Sequence, residues 1–277
     1  MRLVDSHCHL NADRFGDDVD AVIERARAAG VERILVPGWN PTSCDRALEL
    51  LDTRDGLDAA VGVHPHDAAK VGEAAWQRIV AQASDPRVLA IGETGLDYDR
   101  AFSPIPDQLE NLRRNLALAL DTGKPAILHV RSANGRSDAQ DAIVDELERA
   151  GFGGQASASA FGARRPPALI HSFSGSVDYA RRVLDLGLAI SISGLAFRKG
   201  EESTADVVPF VPADRLLIET DSPFLSAPGA PKGRNEPAFV GITCAWVGER
   251  RAAAGSAWAD GDLVAAYDAT FRSGGQA

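Results

Sequence analysis

Residues 108–129 read QLENLRRNLALALDTGKPAILH, and they hold a helix, a stop and a strand in succession. Leu109, Leu112, Leu116 and Leu120 recur at three- and four-residue spacing while Glu110, Arg113 and Arg114 fall elsewhere, which is the period of a helix with one buried face. Gly123 stops that helix, and Pro125 opens the next element. The run 126–128 is short and apolar, as a strand covered on both sides is. His129 stands at its C-terminal end.

The same alternation continues outward in both directions. Strands are predicted at 3–8, 33–36, 59–63, 88–91, 126–128, 169–170, 188–192 and 216–218. Helical stretches fall at 17–29, 42–51, 73–82, 108–121, 138–150 and 177–186, with a weak one at 205–210 and two closing helices at 239–254 and 263–271. Eight strand-helix units predict an α/β fold of the (β/α)8 TIM-barrel class. The 277 residues suit a single domain over 1–277, with neither a second core nor a linker. One segment breaks the rhythm: 151–167, GFGGQASASAFGARRPP, reads as a flexible loop rich in Gly, Ala and Ser. Because it joins a helix to the following strand, it belongs on the face opposite the usual catalytic rim, so no catalytic role is expected of it.

Composition narrows the function. With 29 Lys+Arg against 39 Asp+Glu, the net charge is −10, which argues against a protein that coats nucleic acid through a broad basic surface. Any attraction for nucleic acid must be local. Cys8, Cys44 and Cys244 are odd in number and lack a CxxC spacing, so no disulfide framework or four-cysteine zinc site is expected, and a reducing cytoplasm is the default compartment. The N-terminus carries charge and histidine where a signal peptide needs an apolar core, and no stretch approaches about 18 uncharged apolar residues, so neither export nor membrane insertion is expected.

The chain has six histidines, His7, His9, His64, His66, His129 and His171, and each sits at or just past the end of a predicted strand. In a barrel those ends share one rim, so residues distant in sequence surround one pocket. His7 and His9 are two apart on a strand and leave its same side, while Cys8 points the other way. Glu93 follows the fourth strand and Asp221 the eighth, so the rim would gather four imidazoles and two carboxylates: His7, His9, Glu93, His129, His171 and Asp221. Imidazole and carboxylate without thiolate suit divalent Zn, Mn, Co or Fe, and Mg less well. Six ligands exceed one tetrahedral ion, and a bridging Glu93 makes two ions the natural solution. The bland readings are a salt bridge or helix cap for Glu93 and Asp221 and a satisfied core histidine for His129 and His171; they weaken when all six fall on matching strand ends. Of the lysines, Lys70, Lys124, Lys199 and Lys232, none ends the fourth strand, so no carbamylated lysine can serve as the bridge.

Asp5-Ser-His-Cys-His-Leu, Gly62-Val-His-Pro-His, Ile91-Gly-Glu-Thr-Gly-Leu-Asp-Tyr, Lys124-Pro-Ala-Ile-Leu-His, Ile170-His-Ser-Phe-Ser-Gly, Leu217-Ile-Glu-Thr-Asp-Ser-Pro-Phe-Leu and Asn235-Glu-Pro together resemble the TatD family of metal-dependent hydrolases in the amidohydrolase superfamily. The resemblance runs from residue 3 to about residue 254. It implies a TIM-barrel phosphodiesterase with two divalent ions, His7, His9, Glu93 and Asp221 holding one and Glu93, His129 and His171 the other. Two departures stand out: Lys232-Gly233-Arg234 precedes Asn235 where the family often has Arg-Gly, and Ala266 stands where an Asn is usual before Phe271. The 151–167 segment is also longer than the family's usual loop.

The expected activity is hydrolysis of phosphodiesters in DNA, with exonuclease action on single-stranded ends suggested by a narrow barrel mouth and 3'-5' polarity an expectation that goes with the resemblance. Two divalent ions generate hydroxide near neutral pH, neutralise phosphate charge and supply the local attraction that an acidic chain otherwise lacks. Asp221 is expected to act as general base, ahead of His64. His64 is read equally as a phosphate contact or a strand-end hydrogen bond, and His66 as a residue further out. Arg131, Arg234 and Asn235 are candidate substrate contacts, with surface pairing as their alternative. A rival reading keeps the ions and changes the bond, to an ester or amide such as a lactone or a D-aminoacyl-tRNA, since a metal polarises carbonyl and phosphoryl oxygens alike. A non-catalytic metal-binding scaffold is the third reading.

Overall fold

The computed structural model describes residues 2–272. Its eight strands are β1 Leu3–Asp5, β2 Val31–Pro37, β3 Leu57–Val61, β4 Val88–Asp97, β5 Ala126–Arg131, β6 Ala168–Ile170, β7 Ala189–Ile192 and β8 Leu216–Ile218. The helices are α1 Val19–Ala28, α2 Pro41–Thr53, α3 Glu73–Ala83, α4 Ile105–Thr122, α5 Asp138–Ala150, α6 Gln155–Phe161, α7 Val177–Asp185, α8 Thr204–Phe210, α9 Val240–Ala253 and α10 Asp262–Tyr267. Each strand pairs in parallel with the next, in the order β1 through β8. Parallel neighbours need a crossover, and the helices between the strands provide it. The fold is the TIM barrel that the alternation predicts.

The helix quoted first behaves as its period requires. Leu112 and Leu116 are fully buried, each worth about 1.5–3 kcal/mol of burial, and Gly123 caps α4 at φ +63°. The sheet closes differently. Among the described residues no regular ladder joins β8 to β1; the backbones meet at and just past the strand ends, with Ser6 N donating to Ile218 O at 3.1 Å, Asp221 N to His7 O at 2.9 Å and His9 N to Ser222 O at 2.8 Å. Buried Asp5 fastens the same seam by accepting from Thr220 N at 3.0 Å and Thr220 Oγ1 at 2.6 Å.

Three expectations are corrected. Segment 151–167 holds the short helix α6, which its Gly, Ala and Ser content conceals; Phe152 ahead of the helix and Phe161 at its end are buried, and Arg165 donates to the carbonyls of Gly123, Thr270 and Phe271. Strands β4 and β5 run past Glu93 and His129, which therefore lie inside strands. Gly95, at φ +139°, explains the close fit there, because a Cβ at that position would sit 1.9 Å from the His129 carbonyl oxygen. Conversely β1 ends at Asp5, short of the histidines.

Candidate metal centre

His7 and His9 hang from the seam, and Asp221 reaches them from the other side of it. The Nε2 atoms of His7 and His9 lie 3.2 Å apart. Asp221 Oδ1 is 3.3 Å from His9 Nε2 and 3.8 Å from His7 Nε2. Glu93 Oε2 comes within 3.3 Å of His7 Nε2 and 3.5 Å of His9 Nε2. The other oxygen of Glu93 faces a second group: Oε1 lies 3.0 Å from His129 Nδ1, 2.9 Å from His171 Nε2 and 3.2 Å from His64 Nε2. One carboxylate thus offers an oxygen to each of two donor groups. The rings of His7 and His171 stack between them, centroids 3.9 Å apart.

Local backbone conformation fits a built site. Asp221 at φ +53° and Ser172 at φ +43° adopt the left-handed region without being glycine, at a cost of about 1–3 kcal/mol each, and the second directly follows His171. Such outliers persist only where surrounding structure holds them.

The electrostatics fit a cation. Burial pushes Glu93 up, but His64, His171 and His7 outweigh it and hold the carboxyl well below its usual range. Burial lowers His64 to about 4 and also lowers His7, so both offer neutral ring nitrogens. His9 and His171 are pulled down by burial too, yet Asp221 and Glu93 for the first, and Glu93 and Glu219 for the second, leave them above the ordinary value. Facing nitrogens about 3.2–3.3 Å apart, each against a carboxylate, share protons poorly and share a cation well. The donor set therefore fits divalent ions, with imidazole and carboxylate oxygen as ligands.

Two carboxylates that the motif reading passed over aim the histidines. Glu219, buried and held at about 2 despite its burial, lies 3.2 Å from His171 Nδ1 and accepts from Ser172 N at 2.7 Å and Ser172 Oγ at 2.8 Å. His171 Nε2 is thereby left toward Glu93. Asp97 lies 2.6 Å from His66 Nε2 and 3.5 Å from His129 Nε2, leaving His129 Nδ1 toward Glu93. A signal existed for both. Glu93, Gly95 and Asp97 alternate along β4 and share a face, and Glu219 stands two before Asp221.

The remaining expectations divide. His64 joins the second donor group through its contact with Glu93, while its Nδ1 accepts from His66 N at 3.0 Å. His66, expected further out, is half-buried and bonded to Asp97, and with His64 and His129 forms a further cluster of potential donors. Arg131 lies at the cavity wall, its Nη1 donating to Glu201 at 3.0 Å. Arg234 and Asn235, expected as substrate contacts, do not line that cavity. The Arg234 guanidinium is committed to Asp18, Glu236 and the Arg14 carbonyl and lies over the Phe15 ring. Buried Asn235 donates to the carbonyls of Thr220 and Phe224, shaping the loop after β8.

The donors floor a cavity of about 580 Å³. Trp39 and Phe224 stand on its walls edge-on to the His9 ring, at 5.3 Å and 6.0 Å between centroids. Phe224 is 48% exposed, and Phe102, packed on His66 at 4.7 Å, is 64% exposed. Among the described residues no helix is long and apolar enough to cross a membrane.

Residues 4–257 match the family model described as TatD related DNase. The chain is 38% identical to the "Uncharacterized metal-dependent hydrolase YabD" of Bacillus subtilis, over 86% of this chain and 87% of that protein. It is 35% identical to the "3'-5' ssDNA/RNA exonuclease TatD" of Klebsiella pneumoniae, over 89% and 91% of the two. Among solved structures, the TatD homologue YJJV of Escherichia coli superposes with a TM-score of 0.80 at 28% identity, covering 98% of each chain.

Proposed function

From the premise that this chain belongs to the TatD-related DNase family, we propose that it is a divalent-metal-dependent phosphodiesterase that removes nucleotides from single-stranded DNA or RNA in the 3'-5' direction. The observation that carries the reading is Glu93, whose two oxygens face separate histidine groups at the floor of one cavity. In this reading His7, His9, Glu93 and Asp221 would hold one ion and Glu93, His129 and His171 the other, with His64 beside Glu93. Bound there, divalent ions would make water more acidic and offset charge on a phosphoryl oxygen.

The chain's own residues do the rest. Asp221, partly exposed at the cavity wall, accepts the proton of the attacking water as the new P–O bond forms, and the ester P–O bond opposite it breaks, its oxygen leaving with the bonding pair and taking a proton from solvent. Glu219 and Asp97 keep His171 and His129 aimed, so that little reorganisation accompanies the reaction. Exposed Phe224 and half-buried Trp39 offer flat faces on which an unpaired base stacks, which a duplex interior cannot use. Arg131 and Arg100 are the guanidinium groups that line this cavity and are at hand for a phosphate. The buried, unbridged thiols of Cys8 and Cys44 support a reducing cytoplasm as the compartment.

Product mapping on an end-labelled single strand, beside its duplex and a D-aminoacyl-tRNA, tests the reading, with metal content measured on the same sample. Stepwise loss from the 3' end, abolished by chelation, is expected. Cleavage of the aminoacyl ester with no phosphodiester cleaved under any divalent ion would falsify it.

A further inference from the structure

A second cavity, of about 590 Å³, opens beside the metal centre among the loops that follow β5, β6 and β7, and Arg131 lines both. Glu201, which is buried, fixes that junction: it accepts from Arg131 Nη1 at 3.0 Å and from Ser174 Oγ at 2.6 Å. The two cavities differ in character. The metal cavity has the aromatic walls of Trp39 and Phe224, whereas the second is lined mostly by Ser, Gly, Asn, Gln and charged side chains, with Tyr179 the aromatic among them. Arg131, Arg136, Arg182 and Lys199 stand there with Asp141, Asp178 and Glu201, and Asp138 pairs with Arg136 from just outside the lining, so 4 − 4 leaves the cleft near neutral in a chain whose net charge is −10. Arg136 and Arg182 are held among the described residues by the surface pairs with Asp138 and Asp141, worth about 0–1 kcal/mol each, and turn to a phosphate at little cost. Lys199 is exposed and makes no salt bridge among the described residues.

We infer that this cleft is a track for the sugar-phosphate backbone of the nucleotides beyond the one being cleaved, with Arg131 at the crossing point. The inference rests on the phosphodiesterase reading above and adds to it what the substrate must be: a strand several nucleotides long, held by phosphates without regard to base. Polar walls with cations suit the backbone, and the aromatic walls next door suit the terminal base.

The test pairs Lys199→Glu with Arg136→Glu in one variant of the metal-loaded chain. For variant and parent, kcat/KM is measured on a long single strand and on a dinucleotide, at several salt concentrations. The long-over-short ratio is expected to fall roughly tenfold or more in the variant. The salt dependence for the long strand should lose about 0.7 in log-log slope per phosphate contact removed. Independently of turnover, a long strand should shield Lys199 from amine acetylation, read by mass spectrometry, while a mononucleotide leaves it open. An unchanged ratio and slope, or an unshielded Lys199, overturns the track. Cleavage of no phosphodiester of either length by the parent marks failure of the underlying reading instead, and the inference goes with it.

Discussion

Thr220 donates twice to Asp5, from its amide at 3.0 Å and its hydroxyl at 2.6 Å, across 215 positions of sequence. This pair fastens the last strand's end to the first strand's, and the same seam carries His7, His9 and Asp221. Burial pushes the Asp5 carboxyl up to about 8, with Thr220 acting against it, so the two bonds compensate a costly buried group. Thr220→Val keeps the shape and removes the hydroxyl. It should cost about 1–3 kcal/mol of stability and weaken the ion site of His7, His9 and Asp221 more than the other. Thermal unfolding and metal stoichiometry check this; an unaltered melting temperature contradicts it.

Glu93→Gln and Asp221→Asn should each leave the barrel folded and remove most turnover, by about 100- to 10,000-fold. Their metal contents should differ, because Glu93 faces both donor groups and Asp221 only one. Circular dichroism, metal analysis and single-strand degradation on the same preparations separate the two. Full activity in either variant, with metals controlled, removes that residue from the mechanism.

Glu219→Gln keeps the size of the side chain that aims His171 and discards its charge. Metal affinity should drop about 10- to 100-fold, and raising the metal concentration should restore activity. A loss that no concentration of metal repairs would assign Glu219 a different task.

Phe224→Ala and Trp39→Ala should raise KM on single-stranded DNA more than they lower kcat, by the worth of a stacked base, about 1–3 kcal/mol, or roughly 5- to 100-fold. Steady-state kinetics on strands ending in an abasic residue provide the control. There the two parents of the effect part: a stacking role predicts no further penalty from the substitution, and a structural role predicts the same one.

Glu236 accepts from Arg25 and Arg234, which offset its burial and lower its carboxyl below the ordinary value. A depressed acid stabilises the fold above its unfolded value of about 4.3, and that contribution disappears as pH falls through the lower folded value. Glu236→Gln should therefore be less stable by about 1–3 kcal/mol at neutral pH and converge on the parent in acid. Urea unfolding across pH tests it; a gap that widens below pH of about 4 contradicts the pairing.

The period of apolar residues carried the eight strands, and the rule that barrel strands end on one rim carried the six expected donors. What escaped was decided by contacts far apart in the chain. Arg234 beside Asn235-Glu-Pro reads identically whether its partner is a substrate phosphate or Asp18, and that partner is 216 positions away. Glu219 and Asp97 were visible as letters inside motifs, but their task depends on which ring nitrogen each one meets. The apolar run 88–91 carried a strand only that long, whereas Gly95 is what lets β4 continue against β5. Helix α6 has a composition that favours flexibility and is fixed by Phe161, a burial that no local propensity reports.

Because the seam joins β1 to the backbone just past β8, synthesis separates the two sides of the first donor group by the whole barrel. A ribosome delivers His7 and His9 before Glu93 and Asp221 after it, so a nascent polypeptide halted after β5 has part of each cage and no closed chelate. Tight cation capture must then follow the emergence of β8, when the barrel can close.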